Sequence, residues 1–467
     1  MTIIIIMAAV SGVERVAAMP APGPQSGVNI MLAQTMADAL ARRGLHYGWV
    51  VVAVTFLTSL SIAGTVGLGG VFITPVAREF GWNAADMSSV FAIRLLLFGL
   101  MAPFAAAFME RYGVRNVIVL ALALVTGGMA AGVMAGSLWQ FVLLWGVVVG
   151  LGTGLTAMVL GATVASRWFD ERRGLVLGLL TAAVATGQLA FLPLAAWLTE
   201  HFGWRMALVP TMASLGLAAV LVLLFMQDRP ADVGLRAFGA APLRPGETPA
   251  PPPARAGHVG AAVLRAFRIL AESVRSLPFW VLFGTFFICG LSTAGLVQTH
   301  FISLCGDFGM PQVDAAATLA MMGAFDFVGT ILSGWLSDRY NNRSLLFWYY
   351  GLRGLSLLWL PQSAFTFYGL SLFAMFYGLD WVATVPPTVK LAGRYFGAEK
   401  APLVFGWIFA GHQIGSAVAA WGGGLSRTLL ASYLPAFYIA GALCLVAAAS
   451  VFLLRDRRAP ASEPAPA

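Results

Sequence analysis

The chain has 467 residues, of which 59% are hydrophobic and only 10% are charged, with a mean hydropathy of +0.83 and a formal net charge of +8. Soluble globular domains carry about 25% charged residues, so this composition excludes an ordinary soluble protein and indicates an integral membrane protein. The basic residues are spread over many loops rather than gathered on one face, which argues against a nucleic-acid partner.

The first 46 residues are predicted to form a mobile tail ahead of the first membrane span. The apolar run that begins at Ile3 is too short to cross a bilayer, and no basic residue precedes it, as one would in a signal peptide. Three prolines, Pro20, Pro22 and Pro24, then interrupt this run.

Twelve apolar runs follow, each close to the roughly 20 residues that a helix needs to cross a bilayer. They are continuously apolar, without the alternation of a membrane β-strand, so helices are predicted. The predicted spans are 48–71, 85–109, 116–136, 139–165, 173–199, 204–226, 279–303, 315–337, 344–361, 365–389, 401–425 and 433–454. They form two groups of six, in residues 47–226 and 279–455.

A long loop, residues 227–278, separates the two groups of spans and is predicted to be a linker between two six-helix halves. It contains the prolines of residues 251–253 and several arginines. Its last part, residues 261–275, has the pattern of an amphipathic helix on the membrane surface. Residues 456–467 form a C-terminal tail.

The two halves repeat each other at an offset of about 228 residues, which predicts pseudo-symmetric bundles. The matched pairs are Phe80 and Phe308, Glu110 and Asp338, and, with an offset of 227, Phe169 and Phe396. Three such pairs at nearly one offset indicate internal duplication of a six-helix unit.

The distribution of basic residues predicts the orientation in the membrane. If both termini lie on one side, that side holds 23 of the 28 Lys and Arg residues and the other side holds three. Basic residues accumulate in cytoplasmic loops. Both tails and the linker are therefore predicted to be cytoplasmic, in a bacterial inner membrane.

The loops after the second and eighth spans carry related charged motifs. They are Ala106-x-x-x-Glu110-Arg111 followed by Arg115, and Gly334-x-x-x-Asp338-Arg339 followed by Arg343. Together with twelve spans and a long central loop, these motifs resemble the major facilitator superfamily over residues 47–455. The resemblance implies an all-α membrane fold of twelve helices in two six-helix bundles. It also implies that the two motifs form a cytoplasmic gate, in which the acid caps a neighbouring helix N-terminus.

Two further motifs resemble the monocarboxylate-transporter-like and oxalate/formate-antiporter-like branch of that family. They are Tyr47-Gly48-Trp49-Val50-Val51 before the first span and Arg167-x-Phe169-x-x-Arg172-Arg173-x-Leu175 before the fifth. In that branch the eighth helix often carries Asp-x-x-x-Arg, whose arginine binds the substrate carboxylate. Here Asp326 matches the acid, but Thr330 occupies the arginine position, and the lysine that animal members carry in the first helix is missing.

Four charged residues lie well inside the predicted spans: Arg94, Asp326, Arg353 and Asp380. Each costs roughly 2.5–3.5 kcal/mol at mid-helix, so each is a candidate for a functional role or for an ion pair. Arg94 is a candidate to bind a carboxylate or to form a structural pair. Asp326 is a candidate proton carrier or pair member, with Arg353 as a partner of Asp326 or Asp380.

Asp380 lies six residues before Pro386-Pro387, which are predicted to bend the tenth span because they leave the carbonyls of Val382 and Ala383 without helical donors. Neutral polar candidates for substrate binding lie in other spans, where interhelical hydrogen bonding is the alternative reading. They are Gln298 and His300 in the seventh span and His412 and Gln413 in the eleventh.

No enzyme motif, cofactor site or metal-ligand spacing is recognised. The phosphate-binding loop of ATP-driven transporters is absent from the sequence. The three cysteines, Cys289, Cys305 and Cys444, are interpreted as small apolar side chains.

The sequence therefore predicts a secondary transporter that moves a small organic anion, a monocarboxylate, by alternating access. Its expected partners are that anion, protons or a counter-anion, and the lipid bilayer, and it is expected to act as a monomer. One alternative is an exporter of hydrophobic compounds from the same superfamily. An alternative of another class is a membrane signalling or scaffold protein that does not transport.

Overall fold

The computed structural model describes residues 28–156, 159–240, 259–397 and 400–454. These residues form helices joined by turns, with one isolated bridge between Phe169 and Phe238. Ten of the helices are long and apolar enough to cross a membrane.

Twelve helices match the twelve predicted spans. They are α1 (Gly48–Phe80), α2 (Ala84–Tyr112), α3 (Val114–Val133), α4 (Leu138–Trp168), α5 (Arg173–Phe202), α6 (Trp204–Phe225), α7 (Leu277–Asp307), α8 (Gln312–Arg339), α9 (Asn342–Trp359), α10 (Phe367–Phe396), α11 (Ala401–Leu430) and α12 (Leu434–Leu453). The two beyond the ten are α5, with 30 residues, and α9, with 18 residues. At 1.5 Å per residue even α9 is roughly 27 Å long, so the predicted all-α fold is confirmed.

The ends of the helices follow local sequence signals. Helix α1 continues nine residues beyond the predicted end and stops at Gly81, whose φ of 69° is left-handed, a conformation that glycine adopts without a steric penalty. Helix α2 begins with a capping box in which Asn83 Oδ1 accepts from the amide of Asp86 at 2.9 Å and Asp86 Oδ2 accepts from the amide of Asn83 at 3.1 Å.

Two shorter helices lie outside the spans. The N-terminal helix, Val28–Ala41, belongs to the predicted tail and buries Ala33 and Ala37 in the core. The linker helix, Val259–Ser273, lies where the amphipathic helix was predicted. Its Phe267 contacts Phe104 of α2 and Trp407 of α11, which places the linker helix across the ends of both halves. Residues 1–27 and 241–258 lie outside the described residues.

The two halves use equivalent arginines in the same way. Arg115, at the start of α3, donates from Nη2 to the carbonyl of Leu223 near the end of α6, at 2.6 Å. Arg343, its repeat partner at the start of α9, donates from Nη2 to the carbonyl of Phe452 at the end of α12, at 3.5 Å. Each arginine thus caps the last helix of its own half, where a positive charge is favoured.

We call the membrane surface with the linker helix the linker face and the other the opposite face. The halves meet along α2 and α11 and along α5 and α8. Towards the opposite face they are joined by hydrogen bonds. Gln312 Nε2 donates to the carbonyl of Val71 at 2.8 Å, and Thr74 and Ser303 hydroxyls lie 3.3 Å apart. These contacts close the seam between the halves on that side.

The end of α11 carries a local strain that predicts a stabilising substitution. Ala431 has a φ of 52°, which costs an alanine about 1 kcal/mol relative to glycine. Ala431→Gly is expected to raise the thermal unfolding temperature of the detergent-solubilised protein. Ala442→Gly, at an exposed site inside α12, is the control and should lower it. A lower unfolding temperature for Ala431→Gly would contradict the strain.

Candidate functional site

Helix α10 is interrupted in mid-membrane. Its two helical parts, Phe367–Asp380 and Val385–Phe396, are joined by a turn over residues 381–384. The break falls where the proline pair was predicted to cause it. The carbonyl of Ala383, which lacks a helical donor for this reason, accepts instead from Ser333 Oγ of α8 at 2.5 Å.

Arg353 of α9 is buried against this break. Its Nε pairs with Asp380 Oδ2 at 2.7 Å, and its Nη2 donates to the carbonyls of Asp380 at 2.5 Å and Trp381 at 3.2 Å. Its Nη1 donates to Cys289 Sγ of α7 at 2.9 Å. A guanidinium at the C-terminal end of the first helical part is well placed, because unpaired carbonyls make that end negative.

Asp326 of α8 lies on the other side of the same break. Its Oδ1 accepts from the amide of Val382 at 2.9 Å and from Thr330 Oγ1 at 3.0 Å. Both donors are neutral, whereas Arg353 is paired with Asp380. Thr330, at the position where the resemblance implied an arginine, therefore supplies Asp326 with a hydrogen bond but no charge.

Arg94 of α2 is buried between α2 and α1 in the other half, with 4% of its surface exposed. Its Nη1 and Nη2 donate to the carbonyls of Thr65 and Val66 at 3.2 and 2.9 Å, and its guanidinium lies 5.1 Å from the ring centre of Phe91. Its Nε is buried without a hydrogen bond to any described residue. The described residues also give Arg94 no ion pair.

Two glutamines of the second half pack against the helices that hold Arg94, one at Gly70 of α1 and one at Gly99 of α2. The backbone of Gln298 in α7 contacts Gly70 of α1: a Cβ on this glycine would lie 2.8 Å from the Gln298 carbonyl oxygen. Gln413 of α11 packs directly on Gly99 of α2. Gln298 Nε2 and Gln413 Oε1 are buried without a partner among the described residues. Such orphaned groups are uncommon in folded proteins, and each calls for a partner such as a water, an ion or a ligand. We call Arg94, Gln298 and Gln413 the seam group.

The two histidines predicted as substrate ligands are not part of the seam group. His300 Nε2 lies 2.7 Å from the carbonyl of Ala420, and its ring packs on Tyr433. The His412 ring lies between those of Phe286 and Phe409. Asp380 is likewise occupied by Arg353. The structure thus separates the seam group from Asp326, Arg353 and Asp380 around the break in α10, and it places the two histidines in neither group.

The predicted gate residues lie at the linker face. Asp338 pairs with Lys390 of α10, and the Arg339 guanidinium lies 4.1 Å from the ring centre of Trp335. Arg111 is exposed, and nothing lies within 4 Å of a Cβ placed on Gly334.

In the first half the acid that caps a helix is not Glu110. Asp228, just after α6, accepts from the amide of Arg115 at 2.9 Å, at the start of α3. Glu110 lines a small cavity with Arg167 and Asp228. A negative charge therefore stabilises the N-terminal end of α3, and the carboxylate that supplies it is Asp228 rather than Glu110.

Sequence reasoning missed Cys289, Ser333, Lys390 and Asp228. Cys289 reads as one more small apolar residue in an apolar run, yet its sulfur faces Arg353. Lys390 is one of only two lysines in the chain, which was a usable signal. The contacts of Cys289, Ser333 and Asp228 depend on which helices pack together, and the local sequence does not indicate that packing.

The comparisons with known proteins agree with this architecture. The family model of the Major Facilitator Superfamily matches residues 51–420, and the chain belongs to this superfamily of membrane transporters. It is 25% identical over 395 residues to the MFS-type transporter YcxA of Bacillus subtilis (strain 168), covering 83% of this chain and 90% of that protein. It is 28% identical over 404 residues to monocarboxylate transporter 13 of Bos taurus, covering 85% and 87%.

A solved structure shows the same fold. The crystal structure of a D-xylose-proton symporter matches with a TM-score of 0.65 and 14% identity, covering 87% of this chain and 97% of that one. The predicted resemblance to the superfamily, with monocarboxylate transporters among the relatives, is confirmed.

The pairing of Arg353 predicts its effect on folding. Arg353→Gln leaves Asp380 buried without its positive partner, which costs about 3–5 kcal/mol. We expect a lower yield of folded protein and a lower unfolding temperature in detergent. The double variant Arg353→Gln, Asp380→Asn removes both charges and should recover most of the loss.

Arg94→Gln is the matched control, because it also removes a buried guanidinium but leaves no carboxylate behind. It should fold with nearly normal yield. If the double variant is as unstable as Arg353→Gln alone, the ion pair is not the reason for the loss.

Proposed function

We propose that the protein is a secondary active transporter for a small monocarboxylate. The observation that carries this proposal is the seam group: a buried arginine without an acidic partner among the described residues, and two buried glutamines with orphaned amide atoms that pack on α1 and α2. A buried positive charge is costly unless a negative group offsets it. A substrate carboxylate supplies that group at the point where the two halves meet.

The seam group also favours a substrate with one carboxylate over a substrate with two. Arg94 uses two guanidinium nitrogens on backbone carbonyls, which leaves its Nε and other N–H groups for a two-point contact with a carboxylate. Arg353 is occupied by Asp380. A second carboxylate on the substrate would therefore lack a buried positive partner. Relatives named monocarboxylate transporters support the same class.

Asp326 is the proposed proton carrier. Its hydrogen bonds come from neutral donors, so protonation removes a charge inside the span without breaking an ion pair. With a carboxylate at Arg94 and a proton on Asp326, all four charges inside the spans are balanced. Uptake of anion and proton together would then move no net charge through the hydrocarbon core.

Alternating access is the proposed mechanism, with the two six-helix bundles rocking about the seam group. Hydrogen bonds between the halves near the opposite face correspond to a closed outer gate. The linker face is the proposed cytoplasmic side, with both termini there, in a bacterial inner membrane. Glu110, Arg115, Asp338 and Arg343 belong to the inner gate. Both halves lie in one chain, so a monomer suffices.

The central test is uptake of labelled monocarboxylates and dicarboxylates into proteoliposomes, per folded molecule. Arg94→Lys keeps the charge but loses the planar fork, and we expect about tenfold weaker binding of the monocarboxylate. Arg94→Gln should abolish uptake. An imposed inward proton gradient should drive uptake by the unmodified chain and fail to drive it in Asp326→Asn.

Normal monocarboxylate uptake by Arg94→Gln would contradict the proposed anion site. Transport of an uncharged hydrophobic compound that is independent of Arg94 would instead favour an exporter. Failure to transport any tested compound, despite normal folding, would favour the non-transporting alternative.

The orientation has its own test. Gly260 in the linker helix and Gly136 between α3 and α4 are both exposed, and nothing lies within 4 Å of a Cβ at either site. In intact cells an impermeant maleimide should label Gly136→Cys and not Gly260→Cys. The reverse pattern would overturn the proposed cytoplasmic position of the linker.

A further inference from the structure

Helices α8 and α10 are locked together on the opposite-face side of the break. A Cβ on Gly329 would lie 1.9 Å from the carbonyl of Leu379, and one on Gly378 would lie 2.5 Å from the carbonyl of Met322. Backbone in contact with backbone leaves these parts of the two helices little freedom to separate. Residues 367–380 of α10 therefore move with α8.

On the linker-face side of the break, α10 is attached to α8 by side chains. Asp326 holds the amide of Val382 at 2.9 Å, and Ser333 holds the carbonyl of Ala383 at 2.5 Å. Further along, Lys390 pairs with Asp338. A turn rather than a helix separates Val385–Phe396 from the locked part, so this second helical part has a hinge.

The charge on Asp326 stabilises the observed position of the second helical part. The N-terminal end of Val385–Phe396 starts just beyond the amide that the carboxylate accepts, and a negative charge is favoured at a helix N-terminus. A hydrogen bond to an ionised acceptor is also roughly twice as strong as one to a neutral acceptor. Both effects weaken when Asp326 binds a proton.

The other groups around Asp326 stay in place when it is neutralised. The charged or titratable groups facing it are Arg353 of α9, Asp380 of α10 and Cys289 of α7. Arg353 remains bound to Asp380 and to the carbonyls at the end of the first helical part. Neutralising Asp326 therefore loosens the second helical part without loosening the first.

We propose that Asp326 is a positioning residue for α10: its carboxylate holds the turn through Val382, and its protonation lets Val385–Phe396 swing away from α8 and open the Lys390–Asp338 pair. The inference rests on the proposed function for the role of the proton. It adds the step by which a proton bound in mid-membrane reaches the gate at the linker face. The segment that moves is Val385–Phe396 of α10, and its movement requires no contact between Asp326 and the substrate.

The test places a reporter on the moving part. Ala392 is fully buried in the cluster under α10, so Ala392→Cys reacts with a small maleimide only when this part opens. In the purified full chain, without substrate, its labelling rate is divided by that of the exposed Gly260→Cys at the same pH, because only the thiolate reacts. This ratio should rise on going from neutral to acid pH. Adding Asp326→Asn should raise the neutral-pH rate roughly fivefold and remove the pH dependence.

Two controls separate the hinge from general loosening. Ala440 in α12 is as buried as Ala392. Ala440→Cys should therefore label at the same rate with and without Asp326→Asn. Thr330→Val removes the second hydrogen bond of Asp326 but leaves Val382, and should change Ala392→Cys labelling much less than Asp326→Asn. The unmodified chain gives the background from its three buried cysteines.

Equal labelling of Ala392→Cys with and without Asp326→Asn, or an equal rise at Ala440→Cys, would overturn the positioning role. If Asp326→Asn does not fold, the pH dependence of the Ala392→Cys rate relative to the exposed Gly260→Cys alone decides, and a flat profile of this ratio would overturn the positioning role. Uptake is measured separately: a normal hinge response with no proton-driven uptake refutes the proposed transport and leaves the hinge standing.

Discussion

Charge buried in the hydrocarbon core is the constraint on which the rest of this structure depends. Each such group is tolerable when something opposite in charge or dipole faces it. Arg353 meets the carboxylate of Asp380 and the carbonyl end of a broken helix, and Asp326 meets a free backbone amide at the same break. The break in α10 is thus the means by which three charges are accommodated in one half.

The two halves are alike in architecture and different in chemistry. Arg115 and Arg343 cap the last helices of their own halves in the same way. Yet among the described residues, the spans of the first half hold one positive group with only neutral contacts, Arg94. The spans of the second half hold one negative group with only neutral hydrogen-bond donors, Asp326. The repeated halves share one helical architecture, and the two charges without an opposite partner, Arg94 and Asp326, lie on opposite sides of the seam.

The sequence predicts the helical architecture well, because the length of each apolar run, the repeated motifs and the proline pair can each be recognised without knowing any tertiary contact. Twelve spans and the bend in α10 follow from rules that need no tertiary contact. The partner of Arg353 was narrowed to Asp326 or Asp380, and geometry decides for Asp380. Neither Cys289 beside Arg353 nor the carbonyls of Thr65 and Val66 beside Arg94 was foreseeable, because any residue of a neighbouring helix offers such atoms.

The separation of the two unmatched groups gives the proposed coupling a physical basis. In the proposed function a carboxylate at Arg94 would neutralise the first half, and a proton on Asp326 would neutralise the second. Either event alone leaves one buried charge uncompensated, at a cost of several kcal/mol. Each event removes one unmatched charge, so only with both bound does neither half carry an unmatched charge inside its spans. In the proposed cycle the bundles rock in that state, although the two sites need not touch.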